Sequence, residues 1–338
     1  MAYDNRMVPE RRHPSRAASG RSLSAPSGRV RAVRRRTSFA LGIWTTVLGC
    51  CAATNHYLIH PHEPGPQVVV WSGDFARDQI EIHVEGARPP GSGPFATVIV
   101  HPEEDETAAD MHGVIWDLAQ HGYAAMACDY RQLIDGEYRR NLFAWRTIAD
   151  VTISIDVTRA YPELDQDRIG AIGFSEGAVI SLLMASYEPE RIKAVVAYYP
   201  ITDFPRWYAG ERSDLFPRIL FSLARWQLRV DAAAPNDAEF QKMLRLASPM
   251  ETAEYIRAPV LLVHGAQDTL APPDESERIS EKLVAAGDTT RLLIVPGGTR
   301  LFNFRQPQQA TMAWNATLEW LDRYLRQTPS ENAKPPEG

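Results

Sequence analysis

The chain has 338 residues, with 36 Lys and Arg against 42 Asp and Glu and a formal net charge of −6. With 44% hydrophobic and 23% charged residues it is neither a disordered polymer nor a multi-span membrane protein, and its length suits one large α/β domain or two small ones. The charge is unevenly placed. Residues 1–36 hold ten Arg and no Lys against Asp4 and Glu10, a net of +8, which leaves 26 basic and 40 acidic residues for the rest, a net of −14. So acidic a body argues against non-specific nucleic-acid binding, which needs a basic face to displace phosphate counterions.

Residues 1–28 are rich in Ser, Arg, Pro, Ala and Gly and have no hydrophobic period, which predicts a disordered leader. A basic cluster over 29–36 is followed by an apolar run, Ser38–Gly49, of 12 residues. That is shorter than the ~20 residues a spanning helix needs and matches the core of a signal peptide. Val47-Leu48-Gly49-Cys50 resembles a bacterial lipobox, in which Cys50 is lipidated and becomes the new N-terminus, although Leu is commoner than Val at the first of these positions. Arg35-Arg36 resembles a twin-arginine signal with the spacing to Phe39 off by one. A single uncleaved anchor through Ala53 is the alternative. Either way the body is expected outside the cytoplasm, exported and membrane-anchored. Only Cys128 lies in that body, so no disulfide framework is expected there.

After the leader (1–54), residues 55–66 read as a linker. From there β-rich runs alternate with helical segments, which predicts βαβ crossovers and a mostly parallel sheet with helices on both faces. The expected strands are Gln67–Trp71, Gln79–Val84, Ala96–His101, Tyr123–Asp129, Arg168–Phe174, Ala194–Tyr199, Val260–His264 and Arg291–Val295, eight in all, the first two forming an antiparallel edge. Helices are expected over Asn141–Tyr161, Glu176–Tyr187, Pro273–Ala286 and Gln308–Arg326. Residues 201–256 interrupt the alternation with a helical stretch carrying Phe204, Trp207, Tyr208, Phe216, Phe221 and Trp226. Such an insertion would act as a lid favouring an apolar acyl or aryl group, or its aromatics would form a private core. The polar, Pro-rich tail 327–338 is expected to be disordered.

Gly173-Phe174-Ser175-Glu176-Gly177 leaves a strand and opens an apolar helix. A nucleophile elbow needs this context, since a strained Ser between small residues pushes its Oγ above the sheet. With Asp167-Arg168-Ile169-Gly170 before it, the stretch 67–326 resembles the α/β-hydrolase superfamily, and within it dienelactone hydrolases and prolyl-oligopeptidase-like catalytic domains. The resemblance implies an eight-stranded α/β-hydrolase fold with Ser175 as nucleophile. It also implies an acid after the seventh strand, where Leu261-Leu262-Val263-His264-Gly265-Ala266-Gln267-Asp268 supplies Asp268 and His264 is a structural residue.

Two further features depart from the family pattern. A His is expected after the eighth strand within Pro-Gly-x-x-His-x-Phe, and here Pro296-Gly297-Gly298-Thr299-Arg300-Leu301-Phe302 has Arg300 in its place. The His residues stand at 13, 56, 60, 62, 83, 101, 112, 121 and 264, none after Asp268. A guanidinium cannot take a proton from Ser at neutral pH, so Arg300 is expected to pair with Asp268 instead. His101, at the end of the third strand, is the candidate substitute base; His112 and His121 read as surface or packing positions. The oxyanion donors implied by the resemblance are the N–H groups of Glu176 and Glu103, in a loop where Pro102 has none and Glu103-Glu104-Asp105-Glu106 places four acids. These acids read as first-turn helix residues rather than a metal site, and neither metal nor cofactor is expected. Asp129-Tyr130-Arg131 resembles a structural turn beside the site, and Glu176 either binds a cationic group or caps its helix.

Two functions follow. One is an exported serine hydrolase of an ester, lactone or short peptide, with Ser175 and Asp268 in their usual roles. The other is a non-catalytic protein that binds a small molecule or partner in the degenerate cleft.

Overall fold

The computed structural model describes residues 59–77, 80–103, 106–129, 132–134, 137–139, 152–210, 215–232 and 234–326. The expected leader, its apolar run with Cys50, and the tail 327–338 lie outside the described residues, as do Glu104, Asp105, Tyr130, Arg131 and most of the expected helix Asn141–Tyr161. Helical structure is described for that helix only over 152–157. No helix among the described residues is long and apolar enough to cross a membrane.

Eight strands form one sheet in the order β1-β2-β4-β3-β7-β8-β9-β10. These are β1 (Val69–Arg77), β2 (Ile80–Arg88), β3 (Phe95–His101), β4 (Ala124–Cys128), β7 (Leu164–Phe174), β8 (Ile192–Tyr198), β9 (Val260–Gly265) and β10 (Thr290–Val295). β2 runs antiparallel to both neighbours and all other pairings are parallel, as the sequence predicts. A separate small hairpin, β5 (Gln132–Ile134) and β6 (Glu137–Arg139), has no counterpart in the sequence expectation.

The central strands are buried on both faces, which is why they read as continuous apolar runs. Alternate residues feed two cores. Val98, Val100, Ile172, Val196 and Leu261 face α1 (His112–Gln120) and the helix Pro307–Leu321. Ile99, Ala171, Val195 and Leu262 face α2 (Glu176–Tyr187) and the helix Asp274–Ala286. α2 runs through the middle of its layer, so ten of its residues, Gly177–Ser186, are buried and its pattern has little amphipathic period. Asp274, Glu275 and Glu277 in the first turn of the helix Asp274–Ala286 complement its dipole, and Gly287 at φ 88 ends it.

Between β8 and β9 the chain forms α3 (Phe204–Ala209), α4 (Leu215–Ala232), α5 (Asp237–Leu246) and α6 (Pro249–Thr252). Glu275 ties down the start of this insertion: its Oε2 accepts from the N–H groups of Thr202 (2.9 Å) and Asp203 (3.0 Å). The insertion's aromatics pack largely on one another, with Trp207 against Phe221 at 4.9 Å and Tyr208 against Phe240 at 5.0 Å. The private-core reading therefore accounts for Trp207, Tyr208 and Phe221; the side chain of Phe216 lies outside the described residues.

Part of the expected linker 55–66 packs onto the body. His60 is buried, donates through Nδ1 to Asp117 Oδ2 at 3.0 Å, and sets its ring edge-on to Trp314 at 4.4 Å. Residues 59–60 thus pack onto the body because an imidazole bridges α1 and the C-terminal helix, an arrangement the Pro-rich composition does not announce.

One glycine is critical to placing the site. A Cβ on Gly177 would lie 2.2 Å from the His101 carbonyl oxygen and 2.5 Å from that of Pro102, so α2 enters its layer pressed against the end of β3. Gly177→Ala is expected to lower stability by about 2 kcal/mol in chemical denaturation, while the exposed Val284→Ala shifts it by less than about 0.5 kcal/mol.

Candidate active site

Four neighbouring parallel strands deliver the site at their carboxyl ends. Ser175 follows β7, Tyr199 follows β8, Asp268 follows β9 and Arg300 follows β10. Among the described residues, only Ser175 (φ 53), Tyr199 (φ 41) and Leu301 (φ 62) are non-glycine residues with positive φ. All three lie at this one place. Local strain of this kind persists only where surrounding structure over-determines it, and it concentrates at functional sites. At Ser175 the cause is legible: its N–H is held by the Tyr198 carbonyl at 3.0 Å while its own carbonyl already accepts from Ala178 and Val179. Gly173 is required for the same turn, since a Cβ there would sit 2.0 Å from the Gly177 oxygen.

Arg300 is the hub. Its Nη2 donates to Ser175 Oγ at 2.5 Å, and its Nη1 donates to Asp268 Oδ2 at 3.0 Å and to the Tyr199 carbonyl at 3.3 Å. Its guanidinium carbon lies 5.3 Å from the centre of the Tyr199 ring. A guanidinium has donors only, so Ser175 Oγ accepts here and finds no base in this partner. Burial would lower the pKa of Arg300, but the charges of Asp268 and Glu103 outweigh it and hold the pKa above its ordinary value. The group stays charged throughout the accessible pH range.

Asp268 is held from both sides. Its Oδ1 accepts from the N–H groups of Leu270 (2.9 Å) and Ala271 (3.0 Å), and its Oδ2 lies 3.7 Å from His264 Nε2. Burial alone would raise its pKa; the Arg300 charge and the His264 contact together bring it below the usual carboxylate value. His264 is fully buried and bonds the Ala271 carbonyl through Nε2 at 2.8 Å and Ser276 Oγ through Nδ1 at 2.7 Å. A carbonyl only accepts, so Nε2 carries a proton and donates it to Ala271. His264 thus braces the acid loop, consistent with its expected structural role. The insertion also touches this loop, as Trp207 Nε1 donates to the Leu270 carbonyl at 2.8 Å.

Two expectations need correction. His101, the candidate substitute base, has its Nδ1 bonded to Ser181 Oγ at 2.8 Å, and Ser181 in turn donates to the Gly177 carbonyl at 2.9 Å. The hydroxyl's single proton is thereby used, so His101 Nδ1–H is the donor and the ring braces α2. Burial pushes its pKa down to about 3, so the ring is neutral and a very weak base. The bond made by Ser175 Oγ goes to Arg300, not to His101. The second correction concerns Glu103. Its N–H, the expected oxyanion donor, is engaged by Glu106 Oε2 at 3.1 Å, because the buried Glu106 carboxylate folds back onto the loop. Glu103 Oε1 accepts from the Tyr199 hydroxyl at 2.7 Å. Burial, reinforced by the nearby Glu103 charge, raises the Tyr199 pKa well above its ordinary value, so the phenol stays protonated and donates. Glu176 is the first residue of α2, where the expected second oxyanion donor would be.

Sequence reasoning did not single out Tyr199, and it placed Glu106 among four acids of a first helical turn. The only signal for Tyr199 was a Tyr-Pro pair closing a strand, and nothing local marks Glu106 as the acid that turns inward. Asp129 accepts from the Ala108 N–H through Oδ1 at 2.7 Å, which fits the structural turn expected of it.

An ion pair this buried is costly to break, because the remaining charge is left without a partner. Arg300→Ala is expected to lower stability at pH 7 by about 3–5 kcal/mol, and adding Asp268→Asn is expected to restore part of it. Because the folded pKa of Asp268 is depressed, its contribution is present above the unfolded carboxylate value of about 4 and is lost as pH falls through the lower folded one. Denaturant melts at pH 7 and pH 3 should therefore show the Arg300→Ala deficit shrinking in acid.

Comparison with known proteins identifies the fold and the family. Dipeptidyl-peptidase 5 of Porphyromonas gingivalis is 23% identical over 207 residues, covering 61% of this chain and 28% of that protein. The structure of Pyrococcus horikoshii acylaminoacyl peptidase superposes with a TM-score of 0.64 at 18% identity, covering 78% of this chain and 43% of that one. Acetyl xylan esterase 1 from Thermoanaerobacterium gives 0.59 at 18% identity, covering 77% and 86%. The chain thus spans less than half the length of the two peptidases and most of the length of the esterase. The fold is that of α/β hydrolases, and residues 83–325 match the sequence pattern of the dienelactone hydrolase family, to which this chain belongs.

Proposed function

We propose that this member of a hydrolase family binds a small acyl compound, an ester, lactone or short peptide, at Ser175 without turning it over at an enzymatic rate. The single observation carrying this reading is the bridge from Ser175 Oγ through Arg300 to Asp268. In a serine hydrolase that position needs a group that accepts the hydroxyl proton and later returns it to the leaving group. A guanidinium held charged by two carboxylates does neither. Loss of the base in such a site costs up to about 10^6-fold in rate. The engaged N–H of Glu103 weighs the same way, since a carboxylate on an oxyanion donor opposes the negative charge of a tetrahedral intermediate.

A second reading, a slow serine hydrolase with Ser175 as nucleophile, is favoured by the retained elbow strain at Ser175 and the intact acid loop around Asp268. A fluorophosphonate probe separates the two. The expected result is labelling of the native chain no faster than of Ser175→Ala. Arg300→His is expected to label at least about 100-fold faster than the native chain, and Ser175→Ala in that background to abolish the gain, because one imidazole completes an otherwise assembled triad. Rapid Ser175-dependent labelling of the native chain would overturn the binding reading.

The leader adds a location. We propose that the chain is exported and held at a membrane through lipidated Cys50, on the strength of the 29–36 basic cluster, the 12-residue apolar run and the sequence Val47-Leu48-Gly49-Cys50. Cys50→Ser is expected to move the protein from the membrane to the soluble fraction. Retention of the variant in the membrane would instead favour an uncleaved anchor ending near Ala53.

A further inference from the structure

The insertion carries a feature that the Ser175 site does not use. Helix α4 (Leu215–Ala232) is apolar on two opposite sides. Phe221, Ala224, Leu228 and Ala232 are buried in the insertion's core. On the other side Ile219 (49% exposed), Trp226 (51%) and Val230 (50%), with half-buried Leu223 between them, form a stripe facing solvent. Their spacing of four, three and four residues keeps them within one narrow arc of the helix. Beside that arc, seven and four residues apart, run Arg218, Arg225 and Arg229.

We infer that this face of α4 lies on an anionic lipid bilayer, with Trp226, Ile219 and Val230 entering the headgroup boundary. The inference is independent of what Ser175 does. Four observations select this occupant. A tryptophan flanked by branched aliphatics, with arginines along one border, is the composition of an in-plane interfacial helix. The stretch Leu215–Ala232 carries three Arg against Asp231; Arg229 pairs with Asp237 at 2.6 Å, so Arg218 and Arg225 are the cations that make this border a local basic strip in a body whose net charge is −14, complementing anionic headgroups. Arg225 and Arg229 rest on insertion aromatics, Arg225 4.7 Å from the Tyr208 ring centre and Arg229 4.3 Å from that of Phe240, which fixes them along that border. Finally, the stripe exposes on the order of 300 Å² of apolar surface, well short of the ~800 Å² per partner of a stable protein interface. That area is enough for interfacial insertion alongside a covalent anchor, the two-signal arrangement that makes membrane attachment stable.

The test uses the full chain with vesicles of phosphatidylcholine and phosphatidylglycerol (7:3) whose acyl chains carry bromine, which quenches tryptophan emission on contact. The native chain is expected to show a quenched component that Trp226→Phe removes and that weakens several-fold when phosphatidylglycerol is left out. Ile219→Asp with Val230→Asp, both at exposed positions, is expected to lose the Trp226-dependent quenching while keeping the native circular dichroism. Vesicle co-sedimentation, read in parallel, reports the leader's own attachment, so loss of the anchor and loss of the α4 contact are separate outcomes. If vesicle-bound protein shows no quenching that depends on Trp226, the inference fails. It fails equally if the double variant keeps the quenching, or if it only converts a dimer to a monomer, which would make a second copy the occupant.

Discussion

The arrangement of this site depends on one buried ion pair, Arg300 with Asp268, whose carboxylate is fully buried and whose guanidinium reaches on to Ser175. A charge removed from water needs a partner of opposite sign and bonds for its remaining donors. Arg300 finds them in Asp268, the Tyr199 carbonyl and Ser175 Oγ, while its face lies against the Tyr199 ring. Each of these partners is in turn fixed by the ends of adjacent parallel strands. The strained conformations of Ser175, Tyr199 and Leu301 are then understandable together: they are turns at three of the four strand ends that meet at this guanidinium. The same bonds that make the site rigid use the hydroxyl as an acceptor, which is the physical reason for reading the site as a binding site.

Around that pair the electrostatics are weighted towards negative charge. Among the described residues, Asp268, Glu103 and Glu106 stand near Arg300, and the Glu106 carboxylate engages a backbone N–H suited to an oxyanion. A hydrolytic site arranges donors where negative charge develops. Here carboxylates occupy that ground. The retained elbow and acid loop record the hydrolase ancestry shared with the family, whereas the charge distribution bears on what the present site does.

Much of the fold was legible because its signals are local or periodic. Continuous runs such as Ala96–His101 and Val260–His264 predict strands buried on both faces, and β3 and β9 match them to within a residue. The helix Glu176–Tyr187 coincides with α2, since an elbow motif fixes where the strand stops and the helix starts. In the site, Ser175, Asp268 and the pairing of Arg300 with Asp268 could be anticipated from motif spacing and from the chemistry of a guanidinium. What could not be read is long-range. Ser181, which occupies the His101 imidazole, is 80 residues away, and Tyr199 meets Glu103 across 96. Glu106 turning inward and His60 docking on Trp314 depend likewise on tertiary burial, for which a single sequence carries no pattern.

The central claim is that Ser175 has no base. Its most direct test is the cleavage of an activated aryl ester followed from pH 5 to pH 10, with Ser175→Ala as the reference. The account predicts that the two proteins are indistinguishable at every pH, with no inflection near neutrality. Turnover that requires Ser175 and rises with a midpoint between about 6 and 7.5, the range of an imidazole, would contradict it.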